Sequence, residues 1–309
     1  MIFNVSVRTD IPNYYWDWFV NRLRAGEVMV RNPHYPEKVS VYPLLPEDVD
    51  CFCFLSKNYH NVLTSQQLSL EALIKLYPCQ FSYTITPYGK DIEPNVPDMT
   101  QSVAMLQELS RRVGKEKIIW RYDPILFTNS YDLNYHKQAF EYLAYYMAPY
   151  INYCAFNFIN LYDKVHARFP EAYPGDRIMQ ESLLLHMGAV GQKYNMRIQS
   201  CIGQDYRRYG IVQNKCMTLR TLEQVLGVPM KDVKHKDDCL MCGRIETRDL
   251  GRYDTCLNLC RYCYANGSKS RVVQNTYRYD PCSPMLLDEL RPGDIVSRAK
   301  QKRYKLFES

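Results

Sequence analysis

Three cysteines, Cys256, Cys260 and Cys263, stand near the end of a 309-residue chain in the pattern C-x3-C-x2-C. That spacing suits one loop wrapped around a corner of a cuboidal iron–sulfur cluster. Three thiolates hold three irons and leave the fourth open to a ligand. An open iron is a place for chemistry, whereas a fully ligated cluster usually carries electrons or holds structure. A structural zinc ion is the competing reading, because Cys239-x2-Cys242 followed by Cys260-x2-Cys263 fits zinc-ribbon spacing. That pairing leaves Cys256 unused, in a stretch crowded with Tyr253, Tyr262 and Tyr264.

The elements that must position such a loop come earlier. Six segments read as a buried strand followed by a helix. The strands are Ile2 to Val7, Val49 to Leu55, Cys79 to Ile85, Lys117 to Trp120, Cys154 to Ile159 and Met196 to Cys201. Helices are expected at Tyr14 to Arg24, Ser65 to Leu76, around Val103 to Val113, Tyr135 to Met147, Ile178 to Tyr194 and Leu219 to Leu226. In the third, Val103, Leu106, Leu109 and Val113 recur at helical spacing, and Gly114 stops the run. Strands alternating with helices imply parallel pairing through right-handed crossovers. The expected fold is therefore α/β, a TIM-like partial (β/α)6 barrel over residues 1–230. A strand pair at Glu27 to Tyr42 forms an excursion, and residues 231–309 form a cysteine-rich segment. If the excursion and the tail supplied strands, eight would be available for a full barrel.

Strand after strand is apolar until its carboxyl end and then delivers a polar group. Arg8, Asp10, Lys57, Asn58, Tyr88, Arg121, Asp123 and Asn160 all occupy such positions. In a barrel these ends converge on the face where active sites are built. The cysteine loop can serve that face only if the tail folds back over it.

Composition bounds the rest. Apolar residues at 46% and charged residues at 23% describe an ordinary globule with material for a core. The net charge of +6 comes partly from Arg298, Lys300, Lys302, Arg303 and Lys305. A solvated basic terminus accounts for these with less than a nucleic-acid contact would require. The 27 tyrosines suit a polar-lined cavity, since each ring packs while its hydroxyl needs a partner. MIFNVSVRTD has neither a basic n-region nor an apolar h-region, so no export signal is expected. The longest apolar run, Ala139 to Tyr162, is broken by Glu141, Pro149 and three asparagines, and falls short of the ~20 apolar residues of a membrane span. A reducing cytoplasm is the expected setting, where clustered thiols favour metal over disulfide.

Several runs together resemble one bacterial family, domain-of-unknown-function family 1848. They are Arg8-Thr9-Asp10-Ile11-Pro12, Arg31-Asn32-Pro33, Thr86-Pro87-Tyr88-Gly89, Glu93-Pro94, Trp120-Arg121-Tyr122-Asp123-Pro124 and Cys256…Cys260-Arg-Tyr-Cys263-Tyr-Ala-Asn266. The family carries at its C-terminus a cysteine cluster like that near the amino end of radical-SAM enzymes. The resemblance implies a radical-SAM type of barrel in which Cys256, Cys260 and Cys263 hold a [4Fe–4S] cluster. It further implies S-adenosylmethionine (SAM) on the open iron, reduced through a flavodoxin- or ferredoxin-type donor, with radical chemistry on a substrate, a small molecule or another, that the resemblance does not name. Tyr262 resembles the aromatic that packs near the adenine, and Asn160 is placed with it as cofactor-binding. The chain departs from the family pattern at Cys242-Gly243-Arg244, where Cys-Gly-Cys is usual, and at Leu55-Ser56-Lys57-Asn58-Tyr59, where Trp-Thr-Lys-Asn-Pro is usual. Cys201, Cys216, Cys239 and Cys242 together supply four thiolates, enough for a second cluster or a zinc ion.

Under this reading Arg8, Lys57 and Arg121 hold anionic groups, Asp10 and Asp123 orient those cations or bind ribose hydroxyls, and Tyr88 contacts substrate or relays a hydrogen atom. An Arg–Asp pair bracing the barrel mouth would have the same sequence signature. The alternatives are a zinc-stabilised barrel that binds nucleic acid, and a hydrolase whose cysteines are structural.

Overall fold

The computed structural model describes residues 1–200, 205–212, 219–227, 229–230, 245–300 and 304. Its strands, in chain order, are β1 (Ile2–Val5), β2 (Glu27–Arg31), β3 (Lys38–Pro43), β4 (Cys51–Ser56) and β5 (Cys79–Thr84). They continue with β6 (Ile118–Ile125), β7 (Tyr153–Phe158), β8 (Arg197–Ser200), β9 (Arg248–Asp249) and β10 (Ile295–Arg298). Seven of them form one parallel sheet in the order β8-β7-β6-β5-β4-β1-β9. From β1 and β4 onward, each strand lies beside its predecessor, as right-handed crossovers of similar length dictate.

One face of this sheet packs on the helices. Phe3, Phe52, Phe54, Phe81 and Trp120 share a core with Phe19, Leu73, Leu106, Phe140 and Leu183, which come from five different helices. Phe54 stacks on Phe81 at 5.2 Å, and Phe19 meets Phe52 edge-on at the same distance. Burying one such ring is worth about 2 kcal/mol. The alternate residues face the other way, where Ile2, Cys51 and Cys53 pack with Leu222, Met230 and Ile245.

Helix starts follow side-chain caps. Asp98 and Gln101 form a reciprocal capping box for Met99–Val113, while Asp132 and Asp176 cap Leu133–Met147 and Arg177–Lys193. The expected helix at Tyr14 to Arg24 is two helices, Ile11–Tyr14 and Trp16–Ala25, the first capped by Asp10. The expected helix at Ser65 to Leu76 begins at Leu70 because Ser69 caps it.

The α/β expectation therefore holds, and closure into an eight-stranded ring does not occur. Among the described residues no pairing joins β8 to β9, so the sheet is open. A ring needs strands long enough to stagger and tilt into register, and the tail's contribution, β9, has two residues. The excursion contributes none, because β2 and β3 pair antiparallel and take β10 into a separate three-stranded sheet. No described helix is long and apolar enough to cross a membrane.

Candidate functional site

Asp10 follows β1 and is 4% exposed. Its carboxylate accepts from Asn13 N (3.2 Å), Ser56 Oγ (2.6 Å), Lys57 N (3.0 Å) and Asn258 Nδ2 (2.8 Å). Burial raises its pKa, and these neutral donors oppose the rise. Asp10 thus ties the ends of β1 and β4 to the cysteine loop.

Lys57, at the end of β4, points its ammonium at Thr86 Oγ1 (3.0 Å) and Glu93 Oε1 (2.9 Å). The same Glu93 oxygen accepts from Thr86 Oγ1 at 2.6 Å and from the Tyr262 hydroxyl. Glu93 is 2% exposed, so this is a buried ion pair closed by two hydroxyls. The Tyr262 ring lies 5.7 Å from Lys57 Nζ and meets the Tyr88 ring at 6.0 Å. Burial, with Cys260 and Glu93 nearby, pushes the Tyr262 hydroxyl well above its usual pKa, so it stays protonated and donates.

The cysteine loop is closed on itself and fastened to these strand ends. Asp254 N donates to Ala265 O (3.0 Å), Asn266 Nδ2 to Cys256 O (2.8 Å) and Cys263 N to Cys260 O (3.1 Å). Leu259 takes a positive φ of 54°, which turns the chain between the first two cysteines. Across the seam, Arg261 N donates to Ile92 O, Asn95 Nδ2 to Leu257 O, Tyr15 OH to Thr255 O and Tyr264 OH to Val7 O. The Arg168 guanidinium donates to the carbonyls of Arg261, Asn266 and Cys263.

Cys256 and Cys260 are buried at 8% and 6% exposure, and Cys263 is half-buried. Burial raises all three thiol pKa values, and Cys256 feels Cys263, Asp10 and Cys260 in addition. Opposing groups favour the thiolate: the Asn258 amide at Cys256, Lys57 at Cys260, and the Ala265 and Asn266 amides with Arg168 and Lys164 at Cys263. Ala265 N donates to Cys263 Sγ at 3.4 Å. Burial outweighs the opposing groups, so the free thiols hold their protons. Among the described residues, no three His, Cys, Asp or Glu side chains converge tightly enough to hold one metal ion.

The other sequence candidates divide. Arg8 turns to the sheet edge, where its Nε donates to Asp249 Oδ1 at 3.0 Å and its guanidinium lies 5.7 Å from the Tyr253 ring. Arg121 pairs with Asp123, the bracing arrangement. The Tyr88 hydroxyl is committed to backbone, donating to Pro124 O (2.8 Å) and accepting from Leu126 N (2.9 Å). Asn160 is exposed beyond β7. Cys201, Cys216, Cys239 and Cys242 lie outside the described residues, so the second metal site and the zinc ribbon have no geometry here. Sequence reasoning gave no role to Glu93, Thr86, Ser56, Asn258 or Arg168. Glu93 was visible only as part of the Glu93-Pro94 run, and Asn258 only as a polar residue between two cysteines.

Fold and site together define an α/β protein with an open, singly wound parallel sheet and a trio of thiols, two buried and one half-buried, lashed across its carboxyl edge. The chain belongs to the family described as Domain of unknown function (DUF1848), whose model matches residues 2–265. Neither the curated proteins nor the solved structures contain a match.

Proposed function

We propose that this protein is a cytoplasmic iron–sulfur enzyme of the radical-SAM kind, built on an open (β/α)6 barrel, with Cys256, Cys260 and Cys263 as ligands of a [4Fe–4S] cluster. One observation carries the reading. Two buried thiols and a half-buried one, in the C-x3-C-x2-C pattern, sit on the carboxyl edge of the sheet, with Ala265 N donating to Cys263 Sγ and Lys57, Arg168 and Lys164 nearby. When bound, the cluster and SAM would supply an electron and a hydrogen-abstracting radical.

The residues of the chain supply position and dryness. Asp10 and Asn258 hold the loop on β1 and β4. Arg168 and the Leu259 turn fix its curvature. The Lys57–Glu93 pair places a buried cation and anion beside Cys260, suited to the carboxylate and ammonium of an amino-acid ligand. Tyr262, half-buried against Tyr88, offers a ring to a flat base. Electrons would come from a flavodoxin- or ferredoxin-type donor.

The test is anaerobic purification followed by iron and sulfide analysis. The expected protein is brown, holds about four irons per chain, and converts SAM to 5′-deoxyadenosine under dithionite. Cys256→Ala should lose the iron and Cys282→Ala, which removes an exposed thiol, should not. Colourless protein with one zinc per chain, unaffected by Cys256→Ala, would overturn the reading.

A further inference from the structure

Beside Arg8 lies a groove of about 380 Å³, walled by the β2–β3 hairpin, residues 250–254 and the stretch around Met285. That volume is in the small-molecule range. Five arginines line it, Arg8, Arg31, Arg252, Arg271 and Arg291, against two carboxylates, Asp254 and Asp288. The carboxylates are heavily used. Asp288 takes Arg31 Nε at 2.8 Å and Arg291 Nη2 at 3.1 Å, while Asp254 takes Arg271 Nη1 at 3.3 Å and the Gly267 amide. Asp249 and Asp294, behind the wall, hold Arg8 and Arg31.

Arg252 makes the loosest of these ion pairs. Its Nη1 lies 3.5 Å from Asp288 Oδ1 without a hydrogen bond, and its side chain is 27% exposed where it lines the groove. A guanidinium so weakly engaged can turn to an arriving oxyanion and gain charge-assisted hydrogen bonds. Beside it Tyr253 presents a ring that is 41% exposed, and Leu250, Met285 and Leu286 give the groove an apolar floor.

We propose that this groove is a binding site for a phosphorylated small molecule with a flat ring, its phosphate on Arg252 and its ring against Tyr253. Surplus arginine favours the double charge of a phosphate ester over a single carboxylate. The guanidinium fork matches phosphate oxygens two at a time. The groove takes none of the three cysteines into its lining, though Asp254 belongs to both the groove wall and the cysteine loop.

Titration calorimetry in low-salt buffer with phenyl phosphate, inorganic phosphate and benzoate tests it. Phenyl phosphate should bind about tenfold more tightly than inorganic phosphate, and benzoate more weakly than phenyl phosphate by a similar factor. Arg252→Gln should weaken both phosphates about tenfold or more with an unchanged thermal midpoint, and Arg252→Lys should fall between the two. Tyr253→Ala should remove the advantage of the ring and leave inorganic phosphate affinity intact. Benzoate binding as tightly as phenyl phosphate would overturn the ligand class. Absence of phosphate binding, or full affinity in folded Arg252→Gln, would overturn the site.

Discussion

Asn258 Nδ2 donates to Asp10 Oδ2 at 2.8 Å, joining residues 248 positions apart. The Asn258 side-chain oxygen accepts from Tyr14 OH (3.0 Å) and Asn13 Nδ2 (3.2 Å), so one amide locks the cysteine loop to the first helix. Asn258→Ala should cost about 1–3 kcal/mol, because Asp10 stays buried with one donor fewer. Urea denaturation measures the loss. Asp10→Ala at the same position in the network should cost less when added to Asn258→Ala than when made alone.

Breaking the buried Lys57–Glu93 pair leaves a charge without its counterion. Glu93→Leu should destabilise by about 3 kcal/mol, whereas the double variant Lys57→Met, Glu93→Leu should recover much of that. A thermodynamic cycle of four denaturation curves decides it. A simple sum of the two single effects would show that the pair does not act as a unit.

Arg168 is expected to act locally. Its guanidinium serves three carbonyls of the cysteine loop, each charge-assisted bond contributing about 1.5–3 kcal/mol at most. Arg168→Ala should speed amide hydrogen exchange in residues 254–267 while strand amides of β4 and β5 keep their protection. Uniform loss of protection across the sheet would refute a local role.

His136 gives the molecule an acid limit. It is fully buried, with Tyr122 OH 2.8 Å from Nδ1 and the Leu126 carbonyl 2.8 Å from Nε2. The carbonyl requires a proton on Nε2, so the neutral ring accepts from the tyrosine on Nδ1. Burial lowers its pKa from 6.5 to about 4. The unfolded chain therefore binds more protons in this window, and stability falls as pH drops from about 6.5 to about 4, by roughly 3 kcal/mol in all. Denaturation midpoints at pH 7.5, 5.5 and 4.5 should show the slope, and His136→Gln should flatten it.

The strands were legible because each is a run of β-branched and aromatic residues wedged between polar turns; β4 and β5 lie within one or two residues of their expected limits. The helix starts were harder to place, since Asp132 and Asp176 sit outside the apolar periodicity that marks a helix. β9 and β10 left no such mark. β9 is two residues of charge, Arg248 and Asp249, held by β1 rather than by its own propensity, and β10 is exposed along its length. At the site, residue type revealed the cysteines, Lys57 and Asp10. Pairing did not follow from type. Strand-end position made Arg8 and Tyr88 look like substrate contacts, yet Arg8 is spent on Asp249 and the Tyr88 hydroxyl on backbone. Glu93 lies in an aperiodic loop, where nothing in the order of residues foretells that three donors meet on one oxygen.

The parallel pairing of β1 with β9 also sets a timetable for synthesis. The first strand leaves the ribosome about 250 residues ahead of its edge partner and of Asn258. At about 5–20 residues per second, the nascent chain spends on the order of ten seconds or more with that edge bare. The three thiols reach the strand ends that hold them only after the rest of the sheet has been synthesised, so any group they bind is loaded onto a polypeptide whose earlier portion is already made.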